Sequence, residues 1–431
     1  MMEPNINYTE SFSIVFLDRV RIFLKFGLGI KRWILTFVLG IFSFGFSIGL
    51  IMSIPLDPIR MPVFSLLVFS HTKALIIGAV AFLLGSILMI LAINKAYKWI
   101  LVGLRNKPVG LDIFTAVNLR ISRDKGPKVV AIGGGTGQST LLRGVKHWTN
   151  NLTAVVTITD DGGSSGDLRD DFDMPPPGDA RNCLIALSDL DPVMEDMFLH
   201  RFNAKSSLDR HNVGNLFLAA LYQQLGGFRE VLEAAGKLLS ISGRVIPVSN
   251  MTNLKLIAKT TSGNVISGES AIGSVTDPLS EVWIEPDGAI PEQMGLEAIS
   301  EADIIVIGPG SLYTSIIPNF LIKGISSAVN ESPATKIFVC NVATQPHETE
   351  NYDVSKHLEV FQHHSGVDVD YIIVNNNIKD NPEEWNQPAV LPVSSLMGFK
   401  GNVIVGDVLD NTMPTRHDSV KLASAIMRII H

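Results

Sequence analysis

The chain has 431 residues, 46% of them hydrophobic, with 35 Lys or Arg against 42 Asp or Glu and a net charge of −7. That length exceeds one ordinary domain, and a mean hydropathy of +0.28 is high for a water-soluble enzyme. Only two cysteines, Cys183 and Cys340, exclude a disulfide framework and a cysteine-rich metal site, and residues 129–431, with 20 basic and 36 acidic side chains, are too acidic to suit nucleic acid.

The N-terminal part is different: residues 1–128 carry 15 basic and 6 acidic side chains. Residues 1–32 begin polar and turn basic and amphipathic, with Arg19, Arg21, Lys25, Lys31 and Arg32. Trp33–Ile54 then runs for 22 residues without a charge, long enough to cross a bilayer as a helix. Residues 55–73 form a short Pro-containing connection, and Ala74–Ile93 is a second uncharged run of 20. Basic residues flank the pair on its outer sides, while only Arg60 and Lys73 lie between. That bias predicts a two-span membrane hairpin with both termini and the main domain in the cytoplasm. Residues 94–127 read as a basic juxtamembrane linker near anionic headgroups.

From residue 128 to 431 the pattern is α/β. Apolar runs at Lys128–Ile132, Ala154–Ile158, Val245–Val248, Ile304–Ile307, Lys336–Val339 and Tyr371–Val374 suit buried parallel strands. Helical patterns at Ala180–Leu190, Asn215–Leu225, Val231–Leu239, Ser311–Ile322 and Val420–Ile430 lie between or after them. Leu254–Gly268 alternates around Ser262-Gly263-Asn264 and reads as a hairpin. Right-handed crossovers then predict a Rossmann-like, mostly parallel, doubly wound sheet with ligands at the strand C-terminal ends.

Chemistry concentrates where those strands end. In VVAIGGGTGQSTLLRGVK, an apolar strand meets Gly133, Gly134, Gly135, Thr136 and Gly137 before a helix. Such a turn aims backbone N–H groups and the positive helix end at an anion, and glycines let a phosphate approach. It is neither G-x-G-x-x-G, since Gln138 takes the third glycine's place, nor a P-loop, which needs a lysine after the last glycine. One βα unit later, Asp160 and Asp161 end a strand beside Gly162, Gly163, Ser164 and Arg169. The two carboxylates suit magnesium or sugar hydroxyls. In Pro175–Asn182, Asp179 reads as the cap of a helix from Ala180, while Arg181 and Asn182 occupy its first turn. His211 and Asn215 flank Gly214, a glycine suited to close ligand approach. Ile304–Ile317 repeats the opening logic: Gly308-Pro309-Gly310, Ser311 as N-cap, then Thr314, a second helix-end anion site. Cys340-Asn341 and Ala343–Tyr352 end the next strand and are candidates for the same crevice, and His363-His364 reads as a helix end.

These stretches, together with PPPGDARNCLIALSD, RFN, HNVGN and CNVATQPHETENY, closely resemble the CofD-like superfamily and, within it, the gluconeogenesis factor (YvcK-like) family. The resemblance spans about residues 128–380. It implies binding of UDP-sugars such as UDP-N-acetylglucosamine and a role in cell shape, envelope synthesis and gluconeogenic growth. A related branch, 2-phospho-L-lactate transferase, implies instead a magnesium-dependent transferase acting on a nucleotide-activated phosphoester. Asp161–Arg169 and Pro175–Asn182 follow the gluconeogenesis-factor pattern. Expected partners are the nucleotide-sugar, the lipid bilayer and an envelope-synthesis or regulatory protein, with homo-oligomer formation left open. No Ser-His-Asp or cysteine nucleophile stands out.

Overall fold

The computed structural model describes residues 30–53, 71–104, 113–203, 208–379, 387–391 and 398–430. The chain divides into two compact units, Met1–Ile121 and Ser122–His431.

The first unit is built on α1 (Ile30–Ser53) and α2 (His71–Leu104); α3 (Ile113–Asp124) crosses the boundary between units. Two stretches, Arg32–Leu50 and Leu75–Tyr97, are long and apolar enough to cross a membrane. Small residues let α1 and α2 touch. A Cβ on Gly85 would stand 2.9 Å from the Phe44 nitrogen. Ser43 Oγ donates to the Ala81 carbonyl at 2.9 Å and Ser47 Oγ to the Gly78 carbonyl at 2.7 Å. These bonds satisfy the hydroxyls inside an apolar helix pair. The outward faces are exposed Leu, Ile and Phe, among them Phe42, Ile76 and Leu83. Lys95 Nζ lies 5.5 Å from the Trp33 ring centroid, a cation–π contact between opposite ends of the hairpin's sequence. Arg19, Arg21, Lys25, Ile54, Arg60 and residues 105–112 of the expected 94–127 linker lie outside the described residues.

The second unit is a parallel seven-stranded sheet in the order β10-β9-β8-β7-β1-β2-β3. Its strands are β1 (Val129–Gly133), β2 (Leu152–Val156), β3 (Arg244–Pro247), β7 (Ile304–Ile307), β8 (Thr335–Val339), β9 (Tyr371–Asn375) and β10 (Asn402–Gly406). A smaller antiparallel sheet holds β4 (Lys255–Thr260), β5 (Val265–Ser267) and β6 (Leu279–Glu285) in the order β5-β4-β6. Helices α4 (Gly135–Val145), α5 (Gly163–Phe172), α6 (Gly178–Leu187), α7 (Pro192–Leu199), α8 (Val213–Leu225) and α9 (Phe228–Leu238) precede the small sheet. The rest are α10 (Glu269–Ile272), α11 (Gln293–Ser300), α12 (Ile317–Leu321), α13 (Ile325–Glu331), α14 (Val354–Ser365) and α15 (Ser419–Arg428).

The Rossmann-like expectation therefore holds, and the reason is visible in β1. Val129, Val130, Ala131 and Ile132 are all buried, so their apolar run is covered on both faces, as a central parallel strand requires. Each large aliphatic there contributes about 1.5–3 kcal/mol of burial. The expected hairpin is β4 and β5, extended by β6. His363 and His364 do sit in the last turn of a helix, α14.

Three elements differ from expectation. The Gly163–Phe172 stretch, given no element from sequence, is a helix. Gly166 serves packing there, because a Cβ at that position would strike the Asp161 carbonyl. Ser311–Ile322 is not one regular helix but a π-turn, Leu312–Ile316, followed by α12. The extra strand β10 sits on the edge, where partial exposure leaves only a weak apolar signal.

Candidate functional site

Strands β2 and β3 lie on one side of β1 and strands β7 to β10 on the other. The order of strand addition reverses between β1 and β7, which run parallel, and a crevice opens at such a switch point. Register sets its floor level: Gly133 stands beside Val156, and Ile132 beside Ile307. The Gly133 carbonyl accepts from Thr157 N–H at 2.9 Å, and the Ile132 carbonyl from Gly308 N–H at 3.0 Å.

The small residues of the opening turn have distinct jobs. A Cβ on Gly134 would run into the side chains of Asp179 and Thr157. Gly135 has φ +65°, the left-handed region that favours glycine. A Cβ on Gly137 would strike the Pro309 and Gly310 backbone, so Gly137 lets the two glycine turns touch. Gln138 replaces a third glycine because it ties strands together. Fully buried, its Nε2 donates to the Ala131 carbonyl at 2.9 Å and the Val155 carbonyl at 3.0 Å.

Helix α4 has no side-chain cap of its own. The Gly135 N–H donates to the Asp179 carboxylate, while the amides of Thr136 and Gly137 find no acceptor among the described residues. Asp179 is thus not the cap expected from sequence. Its helix, α6, starts two residues earlier than that reading needs, behind Pro177, and the side chain turns to α4. Burial first, then the charge of Asp160, pushes the Asp179 carboxyl up to about 7.

The second glycine turn repeats the arrangement. Ser311 is the N-cap, as expected, accepting from Thr314 N–H at 3.2 Å. The Ser311 hydroxyl donates to Glu348, the Thr314 hydroxyl lies 3.4 Å from the same carboxylate, and Tyr313 N–H also bonds to it. Glu348 is raised by burial against these donors. Both expected helix-end anion sites therefore hold one of the protein's own carboxylates. Helix-end amides attract any anion, and the sequence does not say which acid folds onto them.

Asp160 and Asp161 part company. Asp160 Oδ1 accepts from Gly162 N–H at 2.9 Å, whereas Asp161 Oδ1 accepts from Ser270 N–H at 2.8 Å, at the start of α10. Asp160 instead shares its surroundings with Asp179 and Glu269. The Glu269 carboxyl is raised by burial and then by Asp160, Asp179 and Glu348, and its Oε2 has no partner among the described residues. Among those residues no three His, Cys, Asp or Glu side chains form a ready metal site.

A second arm lies across these carboxylates, at α5, α6 and α8. Ser164 Oγ lies 3.2 Å from His211 Nδ1 and accepts from Asn212 N–H at 3.3 Å and Asn215 Nδ2 at 3.1 Å. With those two donors on it, the hydroxyl hydrogen goes to His211, and the buried oxygen has no room to attack a substrate. Arg181 NH1 donates to Asn215 Oδ1 at 2.6 Å and its NH2 to Asn182 Oδ1 at 2.8 Å. Gly214 gives room to the Arg181 stem, not to a ligand: a Cβ there would stand 2.7 Å from Arg181 Cδ. Arg169 lies farther along the same helix as Ser164. It is buried about 9 Å along α5 from the helix start, in the last turn.

The opposite arm is a cavity of about 230 Å³ between the two glycine turns and the C-terminal segment. Thr136, Gly137, Gly310 and Ser311 line it, as the sequence suggested, joined by Asn341, Gln345, Arg416 and His417. Arg416 and His417 come from a loop that carries no motif of its own. His417 Nε2 donates to the Cys340 carbonyl at 3.2 Å, and burial pulls its pKa down to about 4. An unfolded histidine takes up its proton near pH 6.5 and the folded one only near 4, so stability is full above 6.5 and is lost as pH falls through that window. The gap corresponds to about 3 kcal/mol. Urea titrations from pH 7 to 4 should show this slope in the wild type and a flatter one in His417→Gln.

The CofD family profile, described as 2-phospho-L-lactate transferase CofD, matches residues 129–394. The gluconeogenesis factor of Bacillus subtilis is 40% identical over 314 residues, covering 70% of this chain and 98% of the relative. A relative in Clostridium acetobutylicum is 37% identical over 427 residues, covering 94% of this chain and 91% of its own, so similarity there extends through the N-terminal hairpin. The crystal structure of a Bacillus halodurans protein has 39% identity and a TM-score of 0.68, covering 70% of this chain and 100% of that one. Motifs, sheet order and relatives agree, and the chain belongs to the gluconeogenesis factor family, with a CofD domain as its main body.

Proposed function

We propose that this chain is a membrane-anchored, cytoplasm-facing binder of UDP-sugars, of the UDP-N-acetylglucosamine type, that regulates cell shape, envelope synthesis and gluconeogenic growth. The observation that carries the binding reading is the crevice between the glycine turns: free amides of Thr136 and Gly137 on one wall, Arg416 on the other. That pairing suits a diphosphate. The nearby carboxylates suit sugar hydroxyls.

A second reading, a magnesium-dependent phosphoester transferase, rests on the neighbouring carboxylates Asp160 and Asp179. The Asp160 charge raises the cost of charging Asp179, and a cation beside them relieves it. Asp160 and Asp179 fit better than the adjacent pair Asp160 and Asp161, because Asp161 is turned to Ser270. Magnesium there would neutralise phosphate charge. Asp160→Asn should remove any magnesium dependence of ligand affinity, whereas Asp161→Asn should retain it. Titration of both variants with and without magnesium checks this, and unchanged dependence in Asp160→Asn removes Asp160 from the cation's shell.

Anchoring rests on the two apolar helices and the Lys/Arg bias. In intact cells, Ser65→Cys should react with a membrane-impermeant thiol reagent and Ser262→Cys should not. Native Cys183 and Cys340 are buried and give little background. Labelling at 262 with protection at 65 inverts the topology.

A further inference from the structure

Among the described residues, two guanidinium groups in the second arm make no ion pair. Arg181 makes no ion pair among the described residues; its donors go to the neutral amides of Asn182 and Asn215. Arg201 donates through NH1 to the Arg210 carbonyl at 2.9 Å, and that nitrogen lies 3.9 Å from where a Cβ on Gly163 would stand. It therefore overhangs the start of α5. The two charges feel each other: burial first, then Arg201, lowers the Arg181 pKa to about 10. Two like charges held together by neutral groups lose energy unless an anion joins them. Asp160 and Asp179 are near enough to pull the Arg181 pKa the other way, yet neither pairs with it. The asparagine amides hold the guanidinium off them. His211 is linked to Arg181 through Ser164 and Asn215. Its Nδ1 takes the Ser164 hydroxyl hydrogen, which leaves Nε2 as the N–H.

We propose that Arg181, Arg201 and His211 form a second anion subsite, which takes the phosphate of a phosphate monoester distinct from the nucleotide sugar. The distinction rests on the proposed function. A UDP-sugar with its diphosphate at the Arg416 arm turns a neutral sugar toward the carboxylates, and its far end carries no charge for two guanidiniums. An anion between Arg181 and Arg201 must then belong to another molecule.

Inorganic phosphate is the probe, titrated into full-length protein by calorimetry, alone and at saturating UDP-N-acetylglucosamine. Phosphate should bind in both conditions with similar affinity. Arg181→Gln and Arg201→Gln should each weaken it at least about tenfold, the loss of one charge-assisted contact. Arg201 is exposed, so its variant should keep the wild-type melting temperature and remain informative even if Arg181→Gln folds poorly. Displacement of phosphate by the UDP-sugar, or unaltered phosphate affinity in Arg201→Gln, overturns the second subsite. If the UDP-sugar fails to bind at all, the proposed function falls, while phosphate binding that depends on Arg201 still supports the subsite.

Discussion

A Gly135→Val variant should remain folded and lose UDP-sugar affinity by at least about 100-fold, or ~2.7 kcal/mol. Gly135 opens α4 at φ +65°, a conformation that a β-branched residue adopts only under strain. The protein itself leaves space there, because a Cβ at Gly135 meets only Ser315 Oγ, at 3.4 Å. Strain of about 1–2 kcal/mol therefore falls on the turn without a core clash. The added methyls would occupy the room beside the free amides of Thr136 and Gly137. Gly137→Val is the contrasting case, since its Cβ strikes the Pro309 backbone and the two turns must separate. Far-UV circular dichroism and calorimetry separate the outcomes. A folded Gly135→Val protein with unchanged affinity would place the phosphates elsewhere.

Asn319→Leu should lower stability by about 3 kcal/mol or more, through loss of donors and not of volume. Asn319 is completely buried, and its Nδ2 lies 3.2 Å from the Gly133 carbonyl, 2.8 Å from Ser315 O and 3.2 Å from Ile316 O. A π-turn leaves carbonyls without their usual partners, and one amide here serves two of them together with the end of β1. Leucine keeps the branching and heavy-atom count of asparagine but donates nothing, so the Ser315 and Ile316 carbonyls lose this amide and the Gly133 carbonyl keeps only Thr157 N–H. The same change unties the first glycine turn from the second, so UDP-sugar affinity should fall with stability. Urea unfolding of the variant measures the first effect and calorimetry the second. A variant with wild-type stability would show that water replaces the amide.

The interior of the sheet was legible because β1, β7, β8 and β9 are nearly continuous apolar runs, and burial on both faces demands such runs. Strand β10 was not, because an edge strand can leave Val405 exposed and so needs fewer apolar residues. Helix α5 was hidden by Gly163, Gly166 and three aspartates, residues that favour turns unless packing overrules them. Within the site, Gly135, Arg181 and His211 stand in stretches whose local pattern already marks them. Glu348 stands in the marked loop Ala343–Tyr352 without being singled out, and Glu269, Asn319 and Arg416 have no such mark, since each matters only after crossovers bring distant loops to one crevice. The largest difference concerns charge. The sequence showed helix ends ready for anions, whereas the fold supplies Asp179 and Glu348 to both, so a phosphate must compete with or be bridged to acids already present.

Binding of a UDP-sugar at the β1–β7 crevice is tested most directly by titrating UDP-N-acetylglucosamine into the full-length protein, with magnesium and without, while following released nucleotide. A regulator predicts saturable heat, about one ligand per chain, and no nucleotide set free over hours. Steady release of nucleotide would contradict the regulator and favour the transferase, and the absence of heat from a folded protein would contradict binding itself.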